Sequence, residues 1–381
     1  MAYTTIDNPN EHFQINLWTG NSSTPRTISN GEFKPDFLWM FHRSNVGSCP
    51  GAIFNSTVVP GADASAHGGN ANGKYTGLMS YWDGALGGMD FYRYGYLSGL
   101  TSTGFTCTAG TDASVPMYRN NQNGYTYVAW QWKANGGTTT AFSENGNHPG
   151  GLRQTNTAAG FSLITYTGTG ANANCQFAHG LPSTPEMVIF KRMDAANYWA
   201  TYHKAIGDDN KLALQITDGL DADGAFMNST IPDSTNITVG GTSVHTNADN
   251  GKYICFAWSP IKGYSKFGKY VGNANADGAF VYTGFKPAWV MVKGITSNGY
   301  HWRIHDNKRD PHNEVQERVS ANSSDAAYSG TSGNDYMDFL SNGFKLRSTR
   351  SDANVANITY IYMAFAENPF VTSTGVPTTA R

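Results

Sequence analysis

Three groups of residues in this sequence have types and spacings that could do chemistry. The densest set of potential metal ligands is His301-Trp-Arg-Ile-His305-Asp306-Asn-Lys-Arg-Asp310-Pro-His312. His301 and His305 would share a helical face at i, i+4, as zinc ligands do, but Trp302 and Ile304 alternating with polar neighbours spell a strand instead. A solvent-facing or edge strand running into a charged turn explains the segment better than a metal centre. Asp221-Ala-Asp223-Gly224 and Asn273-Ala-Asn275-Ala-Asp277-Gly278 have the oxygen-rich, Gly-terminated form of calcium loops. Neither continues to the distal Glu of an EF-hand, and tight turns before Phe226 and Phe280 account for both. No metal and no cofactor are expected.

The third group is aromatic: Tyr81, Trp82, Asp83, Asp90, Tyr92, Arg93, Tyr94 and Tyr96. A ring covers the apolar face of a sugar while fixed amides and carboxylates take its hydroxyls, so this cluster is the candidate glycan site. The competing reading is core packing or an inter-subunit contact, where aromatics also concentrate. Catalysis is not expected, because the sequence has no G-x-S-x-G elbow, no G-x-x-x-x-G-K-[ST] phosphate loop and no G-x-G-x-x-G between a strand and a helix.

Charge narrows the partners. Net charge is -2 and no run of Lys or Arg exceeds two residues, so neither a nucleic acid nor an anionic membrane is expected to bind. The start, Met1-Ala2-Tyr3-Thr4-Thr5-Ile6-Asp7, lacks a basic segment followed by an apolar run, and nowhere do about 18 apolar residues run together. A soluble chain without secretory signal or membrane span is the expectation. Cys49, Cys107, Cys175 and Cys255 lie far apart with no C-x-x-C pair, and Cys255 sits in an apolar run as a buried thiol would.

The elements that must position these residues are read from an internal repeat. Gly (43 residues) and aromatics (13%) are abundant while charge is scarce (14%), the balance of short strands joined by many turns. An opener, an apolar strand ending in aromatic-x-Gly, occurs as Phe13–Gly20, Phe161–Gly168 and Phe267–Gly272. A proline leads the next strand at Pro35-Asp-Phe-Leu-Trp-Met-Phe41, Pro185-Glu-Met-Val-Ile-Phe-Lys191 and Pro287-Ala-Trp-Val-Met-Val-Lys293. The closer is Tyr127-Val-Ala-Trp-Gln-Trp132, Tyr253-Ile-Cys-Phe-Ala-Trp258 and Tyr360-Ile-Tyr-Met-Ala-Phe365, each preceded by an Asn within three or four residues. Apolar runs of this length bounded by turn formers mark strands buried on both faces.

The expected fold is therefore all-β, three tandem related β-sandwich domains of jelly-roll or lectin-like type. Residues 1–134 form a divergent first repeat, 135–155 a Gly/Thr/Asn-rich linker, 156–260 the second repeat and 261–381 the third. Low Lys content and abundant aromatics suit packed interfaces, so a homo-oligomer is expected, with no subunit count set by composition. No heptad stretch supplies a stalk, which favours a compact knob over a long fibre.

Several stretches also resemble a family of virion structural proteins of tailed bacteriophages, marine ones especially. They are Phe267-Gly-Lys-Tyr270-Val-Gly-Asn273, Asp277–Lys293, Ser341-Asn-Gly-Phe-Lys-Leu-Arg347, Thr359–Phe370 and the ending Gly375–Arg381, with Gly160–Gly168, His179–Pro182, His12-Phe13 and Pro35–Trp39 agreeing. The resemblance implies a particle-surface protein of tail-fibre, tail-tip or capsid type, assembled in the host cytoplasm among other virion proteins, with no catalytic residue to carry over. Joined to the aromatic cluster, it gives the expectation of a fibre or knob that recognises a host-surface polysaccharide. The alternative is an architectural capsid decoration or tail adaptor without glycan binding.

Overall fold

The computed structural model describes residues 2–29, 31–44, 51–58, 75, 77–84, 93–172, 175–241, 243–328, 336–349 and 351–378. Nearly all of the regular structure is antiparallel strand. The first unit comprises β1 (Phe13–Thr19), β2 (Arg26–Ile28), β3 (Phe37–His42), β4 (Ala52–Asn55), β5 (Leu78–Met79), β6 (Tyr96–Thr101), β7 (Gly104–Thr108) and β8 (Thr126–Trp132). The second runs through β9 (Thr140–Phe142), β10 (Gly151–Asn156), β11 (Phe161–Thr167), β12 (Gln176–Ala178), β13 (Met187–Arg192), β14 (Ala200–His203), β15 (Asn210–Ala213), β16 (Asp221–Ala222), β17 (Asn236–Thr238) and β18 (Lys252–Trp258). The third holds β19 (Ser265–Val271), β20 (Phe280–Tyr282), β21 (Phe285–Gly294), β22 (Arg303–Asp306), β23 (Arg318–Ser320), β24 (Met337–Leu340), β25 (Gly343–Leu346) and β26 (Thr359–Pro369).

Each unit pairs opener, closer and proline-led strand in the same order, β1-β8-β3, β11-β18-β13 and β19-β26-β21, then adds the next strands in sequence. The registers coincide as well. The last closer residue lies opposite Phe13 and Phe37 in unit one, Phe161 and Met187 in unit two, and Ser265 and Trp289 in unit three. A smaller sheet covers one face of each: β2-β7-β6, β12-β17 and β20-β25-β24. The result is an all-β sandwich plan.

The repeated sequence signatures have a shared local cause. The opener aromatic stacks on the closer tyrosine in all three units: Trp18 on Tyr127, Tyr166 on Tyr253 and Tyr270 on Tyr360, each at 5.2 Å between centroids. The opener aromatic also donates to a backbone carbonyl, Trp18 to Asn120, Tyr166 to Thr246 and Tyr270 to Ala353. Each tyrosine hydroxyl takes the backbone N–H five residues earlier, at Gln122, Ala248 and Val355. That turn lies so close to the opener that a Cβ on Gly20, Gly168 or Gly272 would stand 1.9 to 2.3 Å from a carbonyl oxygen of the same residues, which is why aromatic-x-Gly recurs.

Strand alternation then divides each large sheet between two interiors. In unit one, Leu38, Met40, Tyr127 and Ala129 face the small sheet, while Phe37, Trp39, Val128, Trp130 and Trp132 face away from it. The outward face is equally buried because the three large sheets turn these faces toward one another. Trp132 meets Trp258, Trp289 and Phe365; Phe37 meets Phe256 and Trp258; Phe13 stacks on Phe365 at 5.1 Å. The three units are thus not separate beads. They close into a ring around one aromatic centre.

The stretch expected to be a linker contributes structure. β9 and β10 extend the second unit's sheet to eight strands, with Gly151 to Asn156 pairing Tyr166 to Phe161. A Gly/Thr/Asn-rich composition reads as linker, but its backbone donors meet the open side of β11, and an available sheet edge overrides local propensity.

Because the aromatic centre belongs to all three units, Trp132→Ala should cost about 3–5 kcal/mol and act on all of them. Chemical denaturation followed by tryptophan fluorescence and far-UV circular dichroism should give one coincident transition, shifted as a whole to lower denaturant. Two resolved steps would show units that fold independently.

Candidate functional site

The residues singled out in the sequence are distributed around this ring. Asp90 and Tyr92 lie outside the described residues, as does Cys49. Tyr81, Trp82 and Asp83 form the turn after β5, and its backbone is the landing point of the second unit. Trp199 donates its indole N–H to the carbonyls of Met79 (3.0 Å) and Trp82 (3.1 Å), and Lys191 Nζ donates to the carbonyl of Asp83 (2.7 Å). Asn197 N–H also donates to Asp83 O. The backbone of this part of the aromatic cluster belongs to an internal seam, while its side chains are half-buried.

The other half sits at the end of the first unit's small sheet. Arg93 bridges to Asp112 at 2.9 Å, and the guanidinium groups of Arg93 and Arg119 stand 5.0 and 5.6 Å from the centre of the Tyr94 ring. Tyr96 begins β6, and its carbonyl accepts from Asn120 Nδ2. Tyr94 is half-buried with two guanidinium groups against its ring, which leaves little of the ring open for stacking.

The Lys-Trp latch recurs at the next seam. Lys293 Nζ donates to Thr217 O at 2.9 Å and to Tyr300 O, while Trp302 donates to Ala213 O at 3.0 Å. In unit one the register places Phe41 and Gly51 where the other units have lysine and tryptophan. A Cβ on Gly51 would stand 2.2 Å from the Phe41 ring, so the exchange of both partners keeps the space filled. The third seam closes instead through the bidentate Arg43–Glu317 pair, with contacts of 2.8 and 2.7 Å, and through Trp130 donating to the buried Asp306.

The candidate metal ligands are dispersed. His305 is fully buried in the third unit, its ring held neutral by burial and by nearby Arg309, Arg318 and Arg303. His301 faces Asn322, and His312 lines a surface cleft. Asp221 and Asp223 both pair with Lys211, and Asp277 with Lys345 and Arg347. In the Asn273 loop the backbone N–H groups of Asn275 and Asp277 bond the preceding Asn side chains, so side-chain turns consume the loop's oxygens. Among the described residues no group of three or more His, Cys, Asp or Glu is placed to hold a metal ion. Burial also lowers His42 to about pKa 4 and His203 to about 3, and raises the Cys255 thiol.

Two surface features lay beyond reach of sequence reading. One is a chain of clefts that begins within unit three and continues onto its seam with unit one. A cleft of about 530 Å³ is lined by Lys286, Asp310, His312, Asn313 and Asn368, and another of about 430 Å³ lies beside β1 against Glu32 and Lys308. A smaller one of about 150 Å³ shares residues with both. The other feature is an exposed aromatic pair, Phe280 and Tyr282, on the outer face of β20, with Lys266 Nζ 4.9 Å from the Tyr282 ring and Tyr3 hydrogen-bonded to it. Alternation at Phe280-Val-Tyr282 signalled two aromatics on one face, but nothing local said that this face would be the outer one.

Fold and surface together define an all-β protein built from three like units closed around a single core. The chain belongs to the family described as Domain of unknown function (DUF7483), which it matches over residues 89–369. No curated protein and no solved structure matches it.

The latches carry a pH signature. Burial lowers Lys191 from 10.5 to about 7 and Lys293 to about 8. Between those values and 10.5 the unfolded chain holds protons that the folded chain has lost, so stability rises with pH in this window. The contribution is complete above 10.5 and lost as pH falls through 8 to 7, with a slope of up to about 1 kcal/mol per pH unit for each lysine. Denaturant titrations from pH 7 to 10.5 should show this rise, and Lys191→Met should reduce its slope, leaving the part that comes from Lys293.

Proposed function

We propose that this chain is a structural protein of a bacteriophage particle, a rigid block in a tail or capsid surface that acts by fixed contacts with other virion proteins. The virion context rests on the resemblance of the opener, closer and terminal motifs to phage structural proteins. The observation that carries the architectural reading is that the backbone carbonyls of Trp82 and Asp83, in the stretch that supplies three of the eight glycan-candidate residues, are taken up in an internal seam by Trp199 and Lys191. A non-catalytic role agrees with His42, His203 and His305, which serve as buried neutral residues. Closure consumes the inner faces of all three units, so homo-oligomers, a trimer included, would use outer faces.

Recognition of a host-surface polysaccharide is the second reading, favoured by the exposed Phe280 and Tyr282 beside Lys266. The corresponding small-sheet faces of the other units carry polar pairs such as Thr27 with Thr106, and Gln176 opposite Thr238. Rings that replace polar residues on an outward face offer stacking surface to a sugar.

Immunolabelling of intact particles, joined to an adsorption competition with purified protein, separates the readings. The architectural role predicts many fixed copies and unchanged adsorption. Competition that Tyr282→Ser abolishes would transfer the assignment to glycan recognition, and absence from the particle would end both.

A further inference from the structure

The three seams of the ring share one backbone contact, and at the third a buried side-chain oxygen has no partner among the described residues. At each seam the residue after the fourth strand of the pattern donates its backbone N–H to the residue after the strand-leading proline: Ser56 to Asp36, Lys204 to Glu186 and Asn307 to Ala288. In the first case the side chains close the site as well, since Ser56 hydroxyl donates to the Asp36 carboxylate. In the second, Lys204 pairs with Glu186 at 2.7 Å. In the third, Ala288 offers no polar group, and Asn307 Oδ1, in a side chain more than nine-tenths buried, has no partner among the described residues.

The first seam also shows what fits there. β10 lies along the outer edge of β11, with Gln154 opposite Leu163, and Gln154 Nε2 reaches Ser56 Oγ at 2.9 Å and Thr57 Oγ1 at 2.7 Å. By register Leu163 corresponds to Ile15 and Ser56 to Asn307. At the second and third seams the matching strands, β19 and β1, are terminal in their sheets, so among the described residues no strand occupies the place that β10 fills at the first; at the second the Lys204–Glu186 pair closes the polar site, and at the third nothing described does.

The backbone of β1 is oriented for such a strand. Lys133 N–H donates to His12 O and Gly20 N–H to Tyr125 O, which turns the even-numbered residues of this antiparallel pair toward β8. The backbone groups of Ile15 and Leu17 point the other way, into the clefts that Ile15 shares with Asn307 and that Leu17 shares with Lys308.

We propose that the edge of β1 is a docking slot for an extended segment of a partner polypeptide, added antiparallel to β1 with a carboxamide side chain opposite Ile15. Main-chain bonds to Ile15 and Leu17 supply the general affinity of strand addition, and the amide N–H bonded to Asn307 Oδ1 supplies the selection. The chemistry of the occupant is that of β10, which carries a glutamine at the matching position.

The test adds a synthetic peptide of residues 150–158 to the whole protein and reads hydrogen exchange at single amides. Saturable binding should slow exchange at Ile15 and Leu17 tenfold or more. A Gln154→Leu version of the peptide should bind about tenfold more weakly, since it leaves the Asn307 oxygen buried and unpaired. The protein variant Asn307→Leu should no longer distinguish the two peptides. Ile15→Pro removes a donor on a terminal strand and should abolish binding, with a lowered unfolding midpoint because Ile15 also packs against the shared core, and far-UV circular dichroism checking that the fold is kept. Three results overturn the proposal: no protection by either peptide, protection at Leu163 and Thr165 in place of Ile15 and Leu17, or protection without peptide accompanied by a doubled mass, which makes a second copy the occupant.

Discussion

The contact among the closing aromatics Trp132, Trp258 and Phe365 and their neighbours Phe37 and Trp289 is what the rest of this structure depends on. A sandwich of one large and one small sheet buries only the large sheet's inner face. The opposite face here is equally apolar, and a single unit would leave it in water, at about 25 cal/mol for each Å² exposed. Three copies around a common centre bury all of these faces at once, and the ring needs no fourth member.

Closure explains why the seams are polar while the centre is not. At the rim, sheet ends and turns from neighbouring units meet with backbone carbonyls that lack strand partners, and buried carbonyls require donors. Lys191, Lys293, Trp199 and Trp302 deliver N–H groups across the seams to those carbonyls. Where unit one has Phe41 and Gly51 the same junction is held by the Arg43–Glu317 pair and by Trp130 on Asp306. The three seams share a geometry and differ in chemistry, so a strand can be built in at one and left out at another.

This arrangement changes the meaning of the aromatic cluster in unit one. Rings and acids close together in sequence are the material of a sugar site, and equally of a junction between packed bodies. The turn of Tyr81 to Asp83 is such a junction because its carbonyls face Trp199 and Lys191. Two of the aromatics left to solvent, Phe280 and Tyr282, occupy a short strand that drew no attention in the sequence beyond its turn.

The sequence by itself determined three strands of each unit, the opener, the proline-led strand and the closer, with their order along the chain and their buried character, because these follow from short-range facts. Alternation sets the faces, Gly20, Gly168 and Gly272 mark close approach, and left-handed Asn250 and Asn357 mark the turn before the closer. Only the tertiary structure decided that the units share a core, that residues 140–142 and 151–156 are strands, and that Asp83, Lys191 and Trp199 meet. Residue types report that a face must be buried; they do not report against what. That partner is set by the closing of three sheets on one another, a contact between residues more than a hundred positions apart which no local pattern encodes.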